Sequence, residues 1–105
     1  MAYWVYITTR DEQEAEKVGS SLIKGKLAAC VNIIPGMRSM FWWEGKVDSD
    51  NETILIAKTK ASLIDQVTEH VKSVHSDDCP CVIALPIENG NPDFLKWIDE
   101  ETKEG

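Results

Sequence analysis

The sequence has no apolar run near the roughly 20 residues that a membrane-spanning helix needs, so no segment reads as a span. It has no dense stripe of Lys and Arg. Eleven basic residues stand against eighteen acidic ones, a net charge of −7. A nucleic-acid partner needs a basic face against its phosphates, so that class is set aside. Cysteine is scarce and odd in number, three in 105 residues, which argues against a disulfide framework. Cys79 and Cys81 are separated only by Pro80, a spacing that seldom reaches disulfide geometry. There is no Gly-rich phosphate loop, no G-x-S-x-G and no H-E-x-x-H, and these absences point away from an enzyme. Internal repeats and low-complexity segments are also missing. Met1-Ala2-Tyr3-Trp4 runs directly into strand-like sequence, with no basic start and no cleavage site, which reads as a cytoplasmic protein without a signal peptide.

What is present suffices for one domain spanning residues 1–105, with 43% hydrophobic and 28% charged residues. Tyr3 to Thr8 is aromatic and β-branched and predicts a strand. Thr9-Arg10-Asp11-Glu12 fits a capping box, and Ala15, Val18 and Leu22 repeat at helical spacing until Gly25. Leu27 to Ile34 predicts a second strand, Pro35-Gly36 a corner, and Met37 to Trp43 its continuation. Asp48 to Asn51 reads as a polar turn and Glu52 to Thr59 as the third strand. Leu63, Ile64, Val67, Val71 and Val74 mark a second amphipathic helix. Cys81 to Ile87, a continuous apolar run, reads as a strand buried on both faces. Asn91-Pro92-Asp93 starts a last helix carrying Phe94, Leu95, Trp97 and Ile98. The order βαββαβ plus a C-terminal helix is that of an α+β, ferredoxin-like sandwich: an antiparallel sheet with two helices on one face.

Trp42 and Trp43 are adjacent in a strand and must point to opposite faces, so both cannot enter one core. With one sheet face bare of helices, this much apolar surface predicts a closed homo-oligomer.

Several stretches resemble the CutA family, the divalent-cation tolerance proteins, in order and spacing. They are Lys26 to Asn32 (KLAACVN), Ile34-Pro35-Gly36, Trp42 to Lys46 (WWEGK), Lys58-Thr59, Ala84 to Ile87 and Gly90 to Trp97. The resemblance implies a PII-like homotrimer and a role in tolerance of divalent metal ions, copper in particular. The chain departs from it at His75-Ser76-Asp77-Asp78-Cys79-Pro80-Cys81, where relatives read His-Pro-Tyr-Glu-x-Pro-Glu.

That departure puts two thiols beside His75. Thiolate and imidazole are ligands for Cu(I) and Zn, so His75, Cys79 and Cys81, with Cys30, form the expected metal set and copper the expected metal. Lys58 interrupts an apolar strand and needs water, an acid or a ligand; Glu44 is its candidate partner and Trp43 the apolar wall of a ligand pocket between subunits. The expected function is a small cytoplasmic, trimeric, metal-responsive binding protein. Its expected partners are copies of itself and a metal ion or small ligand, with no nucleic acid and no membrane. The alternative is a PII-like signalling or small-anion-binding module that docks on a target protein. Catalysis through Cys30 is the third reading.

Overall fold

The computed structural model describes residues 1–105. Four strands and three helices follow in the order β1 (Ala2–Thr9), α1 (Glu12–Lys24), β2 (Cys30–Trp43), β3 (Lys46–Lys60), α2 (Ile64–Val74), β4 (Val82–Pro86) and α3 (Pro92–Glu100). A single 3-10 turn at Ala61–Leu63 leads into α2. The sheet is antiparallel throughout, in the order β2-β3-β1-β4, the ferredoxin-like arrangement expected from the element order.

Strand alternation decides what each face carries. Val5, Ile7 and Thr9 of β1, and Leu55, Ala57 and Thr59 of β3, are buried toward α1 and α2. Ala15, Val18 and Leu22 from α1 and Val67 and Val71 from α2 complete one apolar cluster. Each fully buried Val, Leu or Ile among them contributes about 1.5–3 kcal/mol. Gly19 lets α1 close on the sheet: a Cβ there would lie 3.1 Å from Leu55 Cδ1 and 3.2 Å from Val31 Cγ2. The opposite face carries Trp4, Tyr6, Ile54, Ile56 and Lys58. α3 does not join α1 and α2. It runs at one end of this second face, pairing Asp99 with Lys60 at 3.7 Å and burying Ile98.

Several element limits differ from the sequence reading. Asp48 to Asn51 is not a turn but part of β3, paired with Arg38 to Phe41. The hairpin turns instead at Glu44-Gly45, with φ of 51° and 78°, both in the left-handed region. This is the dihedral signature of a two-residue hairpin loop whose twist matches its strands. Polar residues then alternate along an exposed ribbon, which is why the stretch imitated a loop. Pro35-Gly36 is a bulge with a register shift between Ile34 and Met37, and Gly36 takes φ of 80°. β4 is a sheet edge, not a strand buried on both faces; Ile83 and Leu85 are exposed. The α1 cap also shifts. Asp11, not Thr9, accepts the Glu14 N–H at 2.8 Å, while the Thr9 hydroxyl donates to the Thr53 carbonyl at 2.9 Å. Asn91 caps α3 as read, accepting from Asp93 N–H at 3.0 Å.

The β2–β3 hairpin extends past the other strands as a bare two-stranded arm, and the molecule measures 44 Å along its longest axis. Neither tryptophan finds cover within the chain: Trp42 is 75% and Trp43 61% exposed.

Leu55 is fully buried in the cluster and packs beneath α1 at Gly19. Leu55→Ala is expected to lower stability by about 2–5 kcal/mol in chemical denaturation, whereas Trp42→Ala in the same experiment on a dilute, dissociated chain should cost less than about 0.5 kcal/mol.

Candidate functional site

The segment after α2 is tied down by one histidine. His75 Nε2 lies 2.7 Å from the Thr8 carbonyl, and its Nδ1 accepts the Asp77 N–H at 3.0 Å. A nitrogen that accepts carries no proton, so the other must be the donor, and the ring is neutral with its hydrogen on Nε2. The side chain is 0% exposed. Both nitrogens are therefore committed inside the protein.

Glu14, on the first turn of α1, completes the anchor. One carboxylate oxygen accepts from Arg10 N–H and the other from Ser76 N–H, each at 2.9 Å, and the first lies 3.8 Å from His75 Nε2. Burial pushes the Glu14 carboxyl up, but donation from the Arg10 and Ser76 N–H groups outweighs it and holds the group below its ordinary 4.5.

Beyond this anchor the 75–80 loop faces the arm across a cleft of ≈ 510 Å³. Asp48, Asp50 and Glu52 from β3 line one side and Asp77, Asp78 and Cys79 the other, with Phe41 and Trp43 as apolar wall. The three β3 acids are two residues apart, so strand alternation puts them on one face. The sequence reading missed them by taking Asp48 to Asn51 as a turn. The period-2 spacing of the acids was the available signal. Glu14 and Thr8 were missed as well, and nothing in their local sequence marks them.

The expected metal set does not assemble within one chain. No three His, Cys, Asp or Glu side chains come together in a group able to hold a metal ion. His75 has no free nitrogen. Burial pushes the Cys81 thiol above its ordinary 9.0, and the charge of Glu52 adds to this against a hydrogen bond from Thr8. Deprotonating Cys81 for ligation therefore costs more than at an ordinary thiol. Cys79 is exposed in the cleft. Cys30 lies elsewhere, opposite Lys58 in the sheet. Within one chain, then, these residues do not gather into a copper site.

The expected ligand pocket also divides. Trp43 and Glu44 are at the arm tip, where Trp43 pairs with Lys46. Lys58 is twelve residues further along β3, about 40 Å away. Within one chain Lys58 meets Cys30 and Asn32 and never Glu44. Only a second copy could bring the two ends together.

The family model described as CutA1 divalent ion tolerance protein matches residues 3–101. The chain belongs to this family. It is 51% identical over 100 residues to the protein named CutA 1, chloroplastic, of Oryza sativa, covering 95% of this chain and 56% of that one. It is 46% identical over 100 residues to the divalent-cation tolerance protein CutA of Archaeoglobus fulgidus, covering 95% and 97%. The chain spans about half the length of its plant CutA relatives. The crystal structure of Oryza sativa CutA1 superposes with a TM-score of 0.97 at 49% identity, over 99% of this chain and 95% of that one. An Archaeoglobus fulgidus CutA structure gives 0.95 at 45% identity, over 98% and 100%. These names overturn the cytoplasmic location read from the sequence: the plant relatives are chloroplastic and the Archaeoglobus protein is described as periplasmic. The family's description names tolerance of divalent ions and no reaction. No helix of the chain is long and apolar enough to cross a membrane.

The Glu14 anchor has a sign that can be checked. A carboxyl held below its ordinary value stabilises the fold above pH 4.5, and that contribution is lost as pH falls from there through the lowered folded value. Glu14→Gln should destabilise the protein by about 1–3 kcal/mol at neutral pH. It should also flatten the acid limb of the stability curve, read by denaturant titration at a series of pH values.

Proposed function

We propose that this chain acts in divalent-cation tolerance as a closed homotrimer, and that cations gather in the acidic cleft between the arm and the 75–80 loop. The observation that supports the reading is the cleft itself, five carboxylates around Phe41 and Trp43 on a chain of net charge −7. Oxygen ligands suit hard and borderline divalent ions. With no chelating group already assembled, the ions would keep part of their hydration shells and bind in the weak range of about 10⁻⁴–10⁻³ M. Copper enters this reading through Cys79, the one thiol that lines the cleft.

The trimer is supported by apolar surface that one chain cannot cover. Met40, Trp42, Trp43 and Val47 on the arm, and Ile83 and Leu85 on β4, are all about half exposed or more. β2 and β4 also leave free edges that can pair between chains. The alternative, a module that senses a small anion and docks on a target, has its support in the uncompensated ammonium of Lys58.

Light scattering at micromolar concentration should give the mass of three chains, and a monomer mass overturns the assembly. Calorimetric titration with Zn²⁺ should show binding that weakens as ionic strength rises. The triple change Asp48→Asn, Asp50→Asn, Glu52→Gln should weaken it at least about tenfold. Cu(I) titration under reducing conditions should weaken in Cys79→Ser and stay unchanged in Cys81→Ser. Unaltered Zn²⁺ binding in the triple variant rules out the cleft.

A further inference from the structure

α1 and α2 cover the sheet face opposite Trp4, Tyr6 and Lys58, so their outer surface stays open when copies close on that second face. Charge along α1 is sorted by side on this outer surface. Ser21 Oγ lies 2.8 Å from His70 Nε2, which fixes the flank of α1 that faces α2. Lys17 stands one turn before Ser21 and Lys24 about one turn after it, and Arg10 continues the row two turns before Lys17. Glu12 and Glu16, four residues apart, fall on the other flank. Like charges at that spacing repel, and a helix gains by interleaving acids with bases. The neighbours that could pair Lys17 and Lys24 on their own flank are instead Gln13, Ser20 and Ser21, and Glu14 is turned inward. Neither lysine makes an ion pair, although acids outnumber bases by eighteen to eleven.

The row ends in a pocket of ≈ 420 Å³ between the start of α1 and the segment after α2, lined by Arg10, Gln13, Lys17, Val74 and Ser76 above the His75–Glu14 anchor. The anchor offers the pocket no free group. Both Glu14 oxygens accept from Arg10 N–H and Ser76 N–H, and both His75 nitrogens are committed to Thr8 and Asp77. Asp11 engages Arg10 only through Nε, at 3.5 Å, which leaves both terminal amino groups of the guanidinium. What remains for a ligand is a set of donors: those amino groups, the Lys17 ammonium, the Gln13 amide and the Ser76 hydroxyl. A planar guanidinium matches two oxygens of a tetrahedral anion, and a lysine supplies a point charge to a third. The volume exceeds that of a bare phosphate several-fold, and Val74 adds an apolar wall, so a small organic group fits beside the anion.

We propose that this pocket binds the phosphate of a small phosphate monoester. Arg10 and Lys17 hold its charged oxygens, Gln13 and Ser76 add neutral hydrogen bonds, and Val74 meets the organic group. The site goes beyond the cation reading: it shares no carboxylate with the acidic cleft and attracts the opposite charge.

The test is an NMR titration of the full, isotope-labelled chain with sodium glycerol phosphate, following the Gln13 side-chain amide and the Ser76 backbone amide. Inorganic phosphate, glycerol, and sodium chloride at matched ionic strength are titrated in parallel. Glycerol phosphate should shift both signals to saturation and bind at least as tightly as inorganic phosphate. Glycerol and chloride should leave both signals in place. Lys17→Met and Arg10→Met should each weaken glycerol phosphate at least about tenfold, the loss of a charge-assisted hydrogen bond. Lys24→Met removes the same charge two turns further along the row and should change the affinity less than twofold. All three side chains are exposed, so the variants should keep the parent's melting temperature. Equal weakening by Lys24→Met and Lys17→Met overturns the site, since diffuse attraction then explains it. So do the absence of saturation with glycerol phosphate and full affinity in Arg10→Met. Tighter binding of inorganic phosphate overturns the monoester. Each of these failures leaves the Zn²⁺ calorimetry untouched, so the two readings fail separately.

Discussion

The alternation of β1 and β3 at the sheet centre is the constraint on which the rest of the molecule depends. Val5, Ile7, Leu55 and Ala57 turn to α1 and α2 and form the buried cluster. Their neighbours Trp4, Tyr6, Ile54, Ile56 and Lys58 must then face the other way. α3 covers only the end of that second face, at Lys60 and Ile98. The exposed arm and the free β4 edge follow, lying where the helices do not reach, and Lys58 stands at the margin of α3, beside Phe94. A one-residue slip of β3 would exchange the two sets and bury Lys58 beneath α1.

Charge is distributed along β3 by the same rule. Asp48, Asp50 and Glu52 share one face near the arm, and Lys58 and Lys60 share one face at the opposite end. The acidic end faces a loop held rigidly by His75 and Glu14. His75 here is a fastener. Its two nitrogens hold Thr8 and Asp77 together, which sets the position of Asp77, Asp78 and Cys79 across the cleft from β3. The residue type that suggests metal ligation in a sequence is spent on positioning the loop that carries the carboxylates. At the lysine end Lys60 is paired with Asp99, and within one chain Lys58 has no acid.

Much of the fold was legible. The apolar spacing of Ala15, Val18 and Leu22, and of Leu63, Val67 and Val71, located two helices; Asn91-Pro92 located the third; Pro35-Gly36 marked a corner within a continuing strand, which is a bulge in the sheet. These signals are local, and local geometry is what each residue type specifies. The arm was harder to read. Asp48-Ser49-Asp50-Asn51 has the composition of a turn, yet its backbone pairs fully with Arg38 to Phe41 because the reversal had already occurred at Glu44-Gly45. Cys81 to Ile87 reads as a strand buried on both faces because it is apolar throughout; its apolar outer face reflects an uncovered edge.

The site divides along the same line. Residue types and their spacing were enough to pick out Lys58 as anomalous, the 75–81 segment as a departure from its relatives, and Trp42-Trp43 as surface in need of cover. The sequence alone also determined the order of elements, and with it the ferredoxin-like sheet, while its short motifs carried the family resemblance. Which groups meet was decided only in three dimensions. Glu14 reaches Ser76 across 62 residues and His75 reaches Thr8 across 67. Lys58 and Glu44, 14 residues apart, stand at opposite ends of a strand because an extended chain separates what sequence places close. Propensity and periodicity act through near neighbours along the chain, whereas a hydrogen bond or a charge acts through space, and only the packed sheet brings those two kinds of distance into register.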